Sequence, residues 1–272
     1  MKPLAGWQPL ADWSPPAALR GVLVDIDDTL TTQGRLTAAA YAALERLRDA
    51  GLVVVPITGR PAGWCDHIAR MWPVDGVVGE NGAFYFAYDR TAQRLTKRFR
   101  DDDATRAANR ARLAAVGERI LREVPGSALA SDQGYREADL AIDWCEDVPR
   151  LPEAAIDRVL AIMRESGMTA KASSIHVNGW FGDYDKLAMS RTFLAERCGV
   201  DLDARRADYV FAGDSPNDSP MFAYFPHSVG VANVRALAHR LEHAPAFVTD
   251  APGGAGFAEL ADRLLRARGR GA

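Results

Sequence analysis

The stretch GVLVDIDDTLT, residues 21–31, constrains the fold more than any other part of the chain. Gly21 to Val24 form a short unbroken apolar run, and Asp25, Asp27 and Asp28 follow directly. An apolar run of that length, with no alternation, is the pattern of a strand covered on both faces of a sheet. Carboxylates at the end of such a strand need compensation by a helix start, by solvent or by a cation.

The same design recurs. LVVVPITGR is a β-branched run that closes on Thr58, Gly59 and Arg60, and ADYVFAGDSPND leads Tyr209 to Ala212 into Asp214, Asn217 and Asp218. HSVGVAN and AFVTD supply two further strands, the second followed by a Gly-rich turn and a helix. Between the first two runs, LTAAAYAALERLRDAG reads as a helix capped by Thr37, with Tyr41, Leu44 and Leu47 on one face and Gly51 as its stop. Strand, polar loop and helix in repetition specify an α/β fold with a Rossmann-like parallel sheet. Ligands of such sheets bind beyond the carboxyl ends of the strands, where these polar loops fall. A lone Asp-rich turn more often caps a helix. Two later strands with matching polar ends favour convergence of the carboxylates at one rim, where a hard cation such as Mg²⁺ can neutralise them.

The 272 residues, 48% hydrophobic and 25% charged, are enough for a large core. A net charge of −3 without a basic cluster argues against nucleic acid as a partner. The N-terminal stretch of residues 1–20 has no apolar segment long enough for a signal peptide or a membrane span. Residues 1–20, broken by Pro3, Pro9, Pro15 and Pro16, read as an irregular arm. Cys65, Cys145 and Cys198 lie far apart without ligand-like spacing, so neither a disulfide framework nor a zinc site is expected, and a cytoplasmic location is.

In order, DIDDTLT, ITGRP, GENGA, DKLAM and GDSPNDSPM resemble the motifs of haloacid dehalogenase-like phosphatases. With GENGAFYF and GGAGFAEL they resemble subfamily IIB, the Cof-type and sugar phosphatases. The resemblance implies a core domain over residues 21–82 and 186–272, with an α+β cap domain inserted over residues 83–185. It implies Asp25 as the nucleophile that forms an aspartyl-phosphate. By the same resemblance Asp27 would be the acid and base that protonates the leaving oxygen and then activates water. Thr58, with Gly59 and Arg60, would bind the transferring phosphoryl group, although ITGR standing alone would favour Thr58 as a hydroxyl satisfying its own turn. Lys186, one of only four lysines, would supply the fixed positive charge. Mg²⁺ would be held by Asp25, the backbone carbonyl of Asp27, and Asp214, with Asp218 a ligand through water or the residue that orients Lys186. Asn217 would buttress that loop and the phosphate site.

Within the insertion, an aromatic run from Phe84 to Tyr88 and QRLTKRF suggest a hairpin around Asp89 and Arg90. Helical faces formed by Leu113, Val116 and Ile120, and by Ile156, Val159, Leu160 and Met163, flank the strands EADLAIDW and KASSIHVNGWF. Alternation puts Ile175, Val177 and Phe181 on one face and Ser174, His176, Asn178 and Trp180 on the other. His176 and Asn178 would hydrogen-bond a hydroxylated leaving group, Trp180 would stack on it, and Glu137, Asp139 and Asp143 would favour a sugar monophosphate over a bisphosphate. The expected activity is Mg²⁺-dependent hydrolysis of a small phosphorylated metabolite, with a sugar phosphate leading. The alternatives are a phosphomannomutase-like phosphomutase, which needs a second phosphate site in the cap, and a binding protein that has lost the chemistry. The sequence does not decide between monomer and homodimer.

Overall fold

The computed structural model describes residues 6–269. Its central sheet is six-stranded, in the order Gln8–Pro9, Phe247–Val248, Ser228–Gly230, Tyr209–Gly213, Gly21–Val24 and Val53–Pro56, and every pairing is parallel. All four residues of Gly21–Val24 are buried, as the unbroken apolar run requires. Val22 and Val24 point into one layer with helices Ala38–Asp49 and Gly253–Ala267. Leu23 points into the other, against helices Lys186–Cys198 and Ser219–Tyr224. Thr37 caps the first of these helices through a bond from the Ala40 amide.

Two expectations about the chain's layout change. The N-terminal arm is not irregular throughout: Gln8–Pro9 adds an edge strand, and Leu10, Trp13 and Leu19 are buried in the core; Pro3 lies outside the described residues. The aromatic hairpin, Phe84–Asp89 with Arg94–Phe99, forms as expected but pairs with Val77–Gly79 rather than with the cap sheet. A parallel bridge between Ile57 and Val78 ties that three-stranded sheet to the core. Phe84 and Phe86 enter one core layer and Tyr85 and Ala87 the other, so this strand is buried on both faces by the core. The cap's own sheet and helices therefore begin at Asp103 rather than at residue 83.

The cap is a four-stranded antiparallel sheet, in the order Thr169–Ala172, His176–Trp180, Asp139–Asp143 and Ala128–Leu129. Helices Asp103–Glu123 and Glu153–Glu165 cover one face, and Leu113, Val116, Ile120, Ile156, Val159, Leu160, Met163, Val177 and Phe181 form a separate apolar core. KASSIHVNGWF is a tight hairpin rather than one strand, turned where Ser173 Oγ accepts the Ile175 and His176 amides. The other face of the sheet carries Asp139 opposite Trp180, Ala141 opposite Asn178 and Asp143 opposite His176. The chain enters and leaves the inserted region side by side: Gly82, at φ 108°, has room only for hydrogen, since a Cβ would lie 2.1 Å from the Asp185 carbonyl oxygen. No helix among the described residues is long and apolar enough to cross a membrane.

Candidate active site

The parallel ladder ends where the acids begin. The Asp25 amide donates to Ala212 O and the Ile57 amide to Val24 O, which fixes the Asp25 side chain, 5% exposed, at the sheet's carboxyl rim. Lys186 opens a helix whose start is capped by the Asp185 side chain. Its Nζ donates to Asp25 Oδ1 at 2.6 Å and to Asp218 Oδ1 at 2.7 Å. Asp218 Oδ2 accepts the amides of Asp214 and Ser215 at 3.0 and 3.2 Å. Asp214 accepts Thr29 Oγ1 at 3.4 Å on one oxygen and Asn233 Nδ2 at 2.9 Å on the other.

One oxygen from each of Asp25, Asp214 and Asp218 lies within 4.8 Å of the others. Burial, then the neighbouring charges, push Asp25 well above the usual carboxylate range, with Lys186 pulling against them. Burial, followed by repulsion from Asp25 and Asp218, does the same to Asp214. Burial works against the Lys186 cation, but Asp218 and Asp25 outweigh it and raise its pKa. Three buried carboxylates against one ammonium leave negative charge uncompensated, and their hard oxygens suit Mg²⁺. Asp25 and Asp214 could hold the ion directly. Both oxygens of Asp218 are engaged, one by Lys186 and one by the loop amides, which fits the orienting role better than direct ligation.

Thr58 is fully buried; its Oγ1 accepts the Arg60 amide at 3.0 Å, leaving its own O–H free to donate. Gly59 is packed closely enough that a Cβ would come within 3.1 Å of Asn81 Nδ2. Asn81, at φ 54°, is buried, and that Nδ2 has no partner among the described residues. Asn217 Oδ1 accepts from Ser215 Oγ at 2.6 Å, and its Nδ2 reaches Asn81 Oδ1 at 3.5 Å.

Arg60, expected to bind the phosphoryl group, is engaged by carboxylates in this structure. Its Nε and Nη2 clasp the carboxylate of Asp27 at 2.8 to 3.0 Å. Its remaining N–H groups go to Asp132 at 3.3 Å and Glu146 at 2.6 and 3.2 Å, both on the cap. All five donors of the guanidinium are thus committed. Glu146 is half-buried, which raises a carboxyl's pKa, yet bonds from His176 and Arg60 hold it down at about 2.

The cap's polar face looks toward the core, and His176, Asn178, Asp139 and Asp143 on it all lie against partners of their own. His176 Nε2 lies 2.9 Å from Glu146 Oε2. Asn178 Nδ2 donates to Asp139 Oδ2 at 2.9 Å. Trp180 stacks on Tyr184 inside the core and donates to the Tyr184 carbonyl, so it offers no stacking surface to a ligand. Asp139 is also held by Arg136, and Asp143 accepts the amides of Cys145, Glu146 and Asp147. Arg136 in turn donates to Asp132 and to the Gly59 carbonyl.

Sequence reasoning missed four residues of this centre. Asn233 bonds Asp214 and the Asp28 carbonyl at 2.9 and 3.0 Å. Glu80, buried, accepts amides from Ala62 on the core and from Glu137, Ala138 and Asp139 at the cap. Burial and the nearby Asp139 push it up to about 8 while Arg136 and those amides pull it back. Asn81, and Glu146 as the partner of Arg60 and His176, complete the set. The only signal in the chain was GENGA, where Glu80 and Asn81 both adopt positive φ without being glycine.

Two adjoining cavities of about 400 and 470 Å³ open between core and cap. Asp27, Arg60 and Glu146 line the first, and Asp214, Asn233 and Trp144 the second. Asp28, Ser174 and Arg150 stand on the wall common to both.

Residues 22–112 match the family model of haloacid dehalogenase-like hydrolases. The chain is 32% identical over 249 residues to a phosphoglycolate phosphatase of Pyrobaculum neutrophilum, covering 90% of this chain and 95% of that one. Its fold is similar to that of the Thermoplasma acidophilum protein 0175, with TM-score 0.64 and 21% identity over 90% of this chain and 98% of the other. It is similar also to a sucrose-phosphatase of Synechocystis solved with sucrose and phosphate, with TM-score 0.60 and 15% identity over 90% and 98%.

Proposed function

The chain belongs to the haloacid dehalogenase-like phosphatases, and from that premise we propose a Mg²⁺-dependent phosphomonoesterase that works through an aspartyl-phosphate on Asp25 and takes a small phosphorylated metabolite. The observation that carries this reading is the buried contact between Asp25 and Lys186, 2.6 Å long, with Asp214 and Asp218 beside it.

Bound Mg²⁺ would let an anionic carboxylate approach an anionic phosphate by offsetting charge on both. Asp25 attacks phosphorus, and the ester oxygen departs. Lys186 supplies positive charge to the equatorial oxygens, and the Thr58 hydroxyl donates to one of them. Asp27 gives its proton to the leaving oxygen and later takes one from the water that cleaves the acyl-phosphate. Asp218 keeps Lys186 aimed at Asp25, and Asn233 keeps Asp214 in place.

For the leaving group, the pairing of the cap acids weighs against the sugar reading. Asp139 and Asp143, expected to receive hydroxyls, are spent on Arg136, Asn178 and backbone amides. Curated relatives bearing the name phosphoglycolate phosphatase point to a short phosphorylated hydroxy acid, and we place that class ahead of the sugar monophosphates. The mutase reading still lacks a preformed second phosphate cradle in the cap.

Phosphate release from 2-phosphoglycolate, a panel of sugar monophosphates and a nitrophenyl ester, each with Mg²⁺ and with chelator, tests the proposal. Mg²⁺-dependent hydrolysis with 2-phosphoglycolate preferred is the expected result. Turnover that survives chelation, or no turnover of any ester, overturns it.

A further inference from the structure

We propose that Arg150, on the cap segment between Trp144 and the helix Glu153–Glu165, receives the carboxylate of the leaving group. The inference rests on the phosphatase reading above and adds the residue that selects the substrate.

The leaving group must lie on the Asp27 side of the phosphoryl group, in the space between core and cap. The positive charges facing that space can be counted. Lys186 is shared between Asp25 and Asp218. Arg60 has every N–H committed to Asp27, Asp132 and Glu146. Arg136, fully buried, is committed to Asp132, Asp139 and the Gly59 carbonyl. Arg150 is different. It lines both cavities, and its guanidinium lies 4.6 Å above the Trp144 ring with no carboxylate paired to it among the described residues. Stacking fixes the plane of the guanidinium without consuming its donors, so its fork remains available to a planar anion.

A second observation falls on the same wall. Trp144 is only 5% exposed, yet its indole Nε1–H has no hydrogen-bond partner among the described residues. A buried donor of that kind costs free energy unless something accepts from it. Trp144 lines the larger cavity beside Asp214 and Asn233, so an oxygen of an anionic ligand there is a suitable acceptor. None of the acids that line these cavities, Asp27, Asp28, Glu146, Glu153 and Asp214, forms an ion pair with Arg150 among the described residues. Glu146 is held by Arg60, and Glu153 is paired with Arg240 on the core. A neutral, hydroxylated leaving group would leave the Arg150 charge unmatched, whereas a carboxylate two atoms from the ester oxygen completes it.

The test compares two esters of nearly equal size, 2-phosphoglycolate and 2-hydroxyethyl phosphate, which differ only in the carboxylate. The wild-type protein is expected to favour the first by on the order of 10- to 100-fold in kcat/KM, mainly through KM, the range for charge-assisted hydrogen bonds. Arg150→Ala should abolish most of that preference and Arg150→Lys should keep part of it. Arg150→Ala that lowers kcat/KM equally on both esters would assign it a structural role and overturn the proposal. A wild-type enzyme that hydrolyses both esters alike, or prefers a sugar monophosphate, would also overturn it while the phosphatase reading stands. A wild-type protein that hydrolyses neither, with or without Mg²⁺, removes both.

Discussion

Asp27 and Arg60 face each other as a bidentate ion pair, the guanidinium Nε and Nη2 lying 2.8 to 3.0 Å from the carboxylate oxygens. The same guanidinium reaches Asp132 and Glu146 on the cap. The acid and base of the proposed mechanism is therefore held by a residue whose remaining bonds exist only while the cap is docked.

Arg60→Lys keeps the charge but loses the planar fork, so Asp27 is expected to move and kcat to fall by on the order of 10². Arg60→Ala leaves Asp27 without its ion-pair partner and takes one of two basic partners from Asp132 and Glu146, which keep Arg136 and His176. Because Glu146 is 26% exposed and Asp27 16%, the cost is expected to be about 2 kcal/mol rather than the roughly 3–5 of a fully buried pair. A thermal scan should show Tm lower by about 4–8 °C. An unchanged kcat in Arg60→Lys would mean that Asp27 needs no such support.

Asp25→Asn removes the attacking oxygen with almost no change of volume. Turnover should fall by at least about 10⁴-fold. Tm should stay level or rise, because one of three crowded buried acids has become neutral. Retained phosphate release would place the nucleophile elsewhere.

The pH dependence of stability carries a definite sign. Asp25 and Asp214 have pKa values raised above the ordinary 3.8 in the folded protein. Above that value the folded state holds protons that the unfolded chain has released, so stability falls as pH rises from about 4 through the raised pKa values. Metal-free protein should melt progressively lower across that window. Mg²⁺ takes the place of those protons, so its stabilising shift in Tm should be larger at pH 8 than at pH 5. A shift independent of pH would show that the ion binds away from these carboxylates.

Glu80→Ala withdraws the acceptor from four amides, three of them on the cap at residues 137–139. Roughly 1–3 kcal/mol of stability should be lost, and amide exchange at 137–139 should quicken more than in the sheet at Gly21–Val24. Exchange that rises equally at both places would mean that the change loosens the core rather than the docking.

The elements that hold the catalytic motifs were legible because their causes are local. Apolar runs closing on Asp25, Thr58 and Asp214 dictate both the parallel sheet and the rim where the polar groups gather. The alternation at Val177 and Asn178 also identified which side of the cap sheet meets the core. What those polar groups bond to was not legible. Arg60 reads as a phosphate ligand from its place beside Thr58, but its partners Asp132 and Glu146 lie 72 and 86 residues away. Pairing across two domains leaves no periodic trace in the chain. The aromatic hairpin was assigned to the cap because an edge between insertion and core has no signature when the first inserted strands are themselves buried against the core.

The central strand Gly21–Val24 has a distant neighbour, Tyr209–Gly213, and the whole insertion lies between them. The contacts within the cap sheet, by contrast, lie between residues 128 and 180. On a ribosome the cap can therefore order while the core sheet still lacks its middle, since non-local parallel pairing is the slow step of such topologies. Lys186 meets Asp25 across 161 residues, and Asp214 joins only when the last quarter of the chain is made. The enzyme is in this sense self-timed: a refolding chain should regain the fluorescence of Trp144 before it regains any capacity to release phosphate, and a nascent one stays inert until the final strands dock.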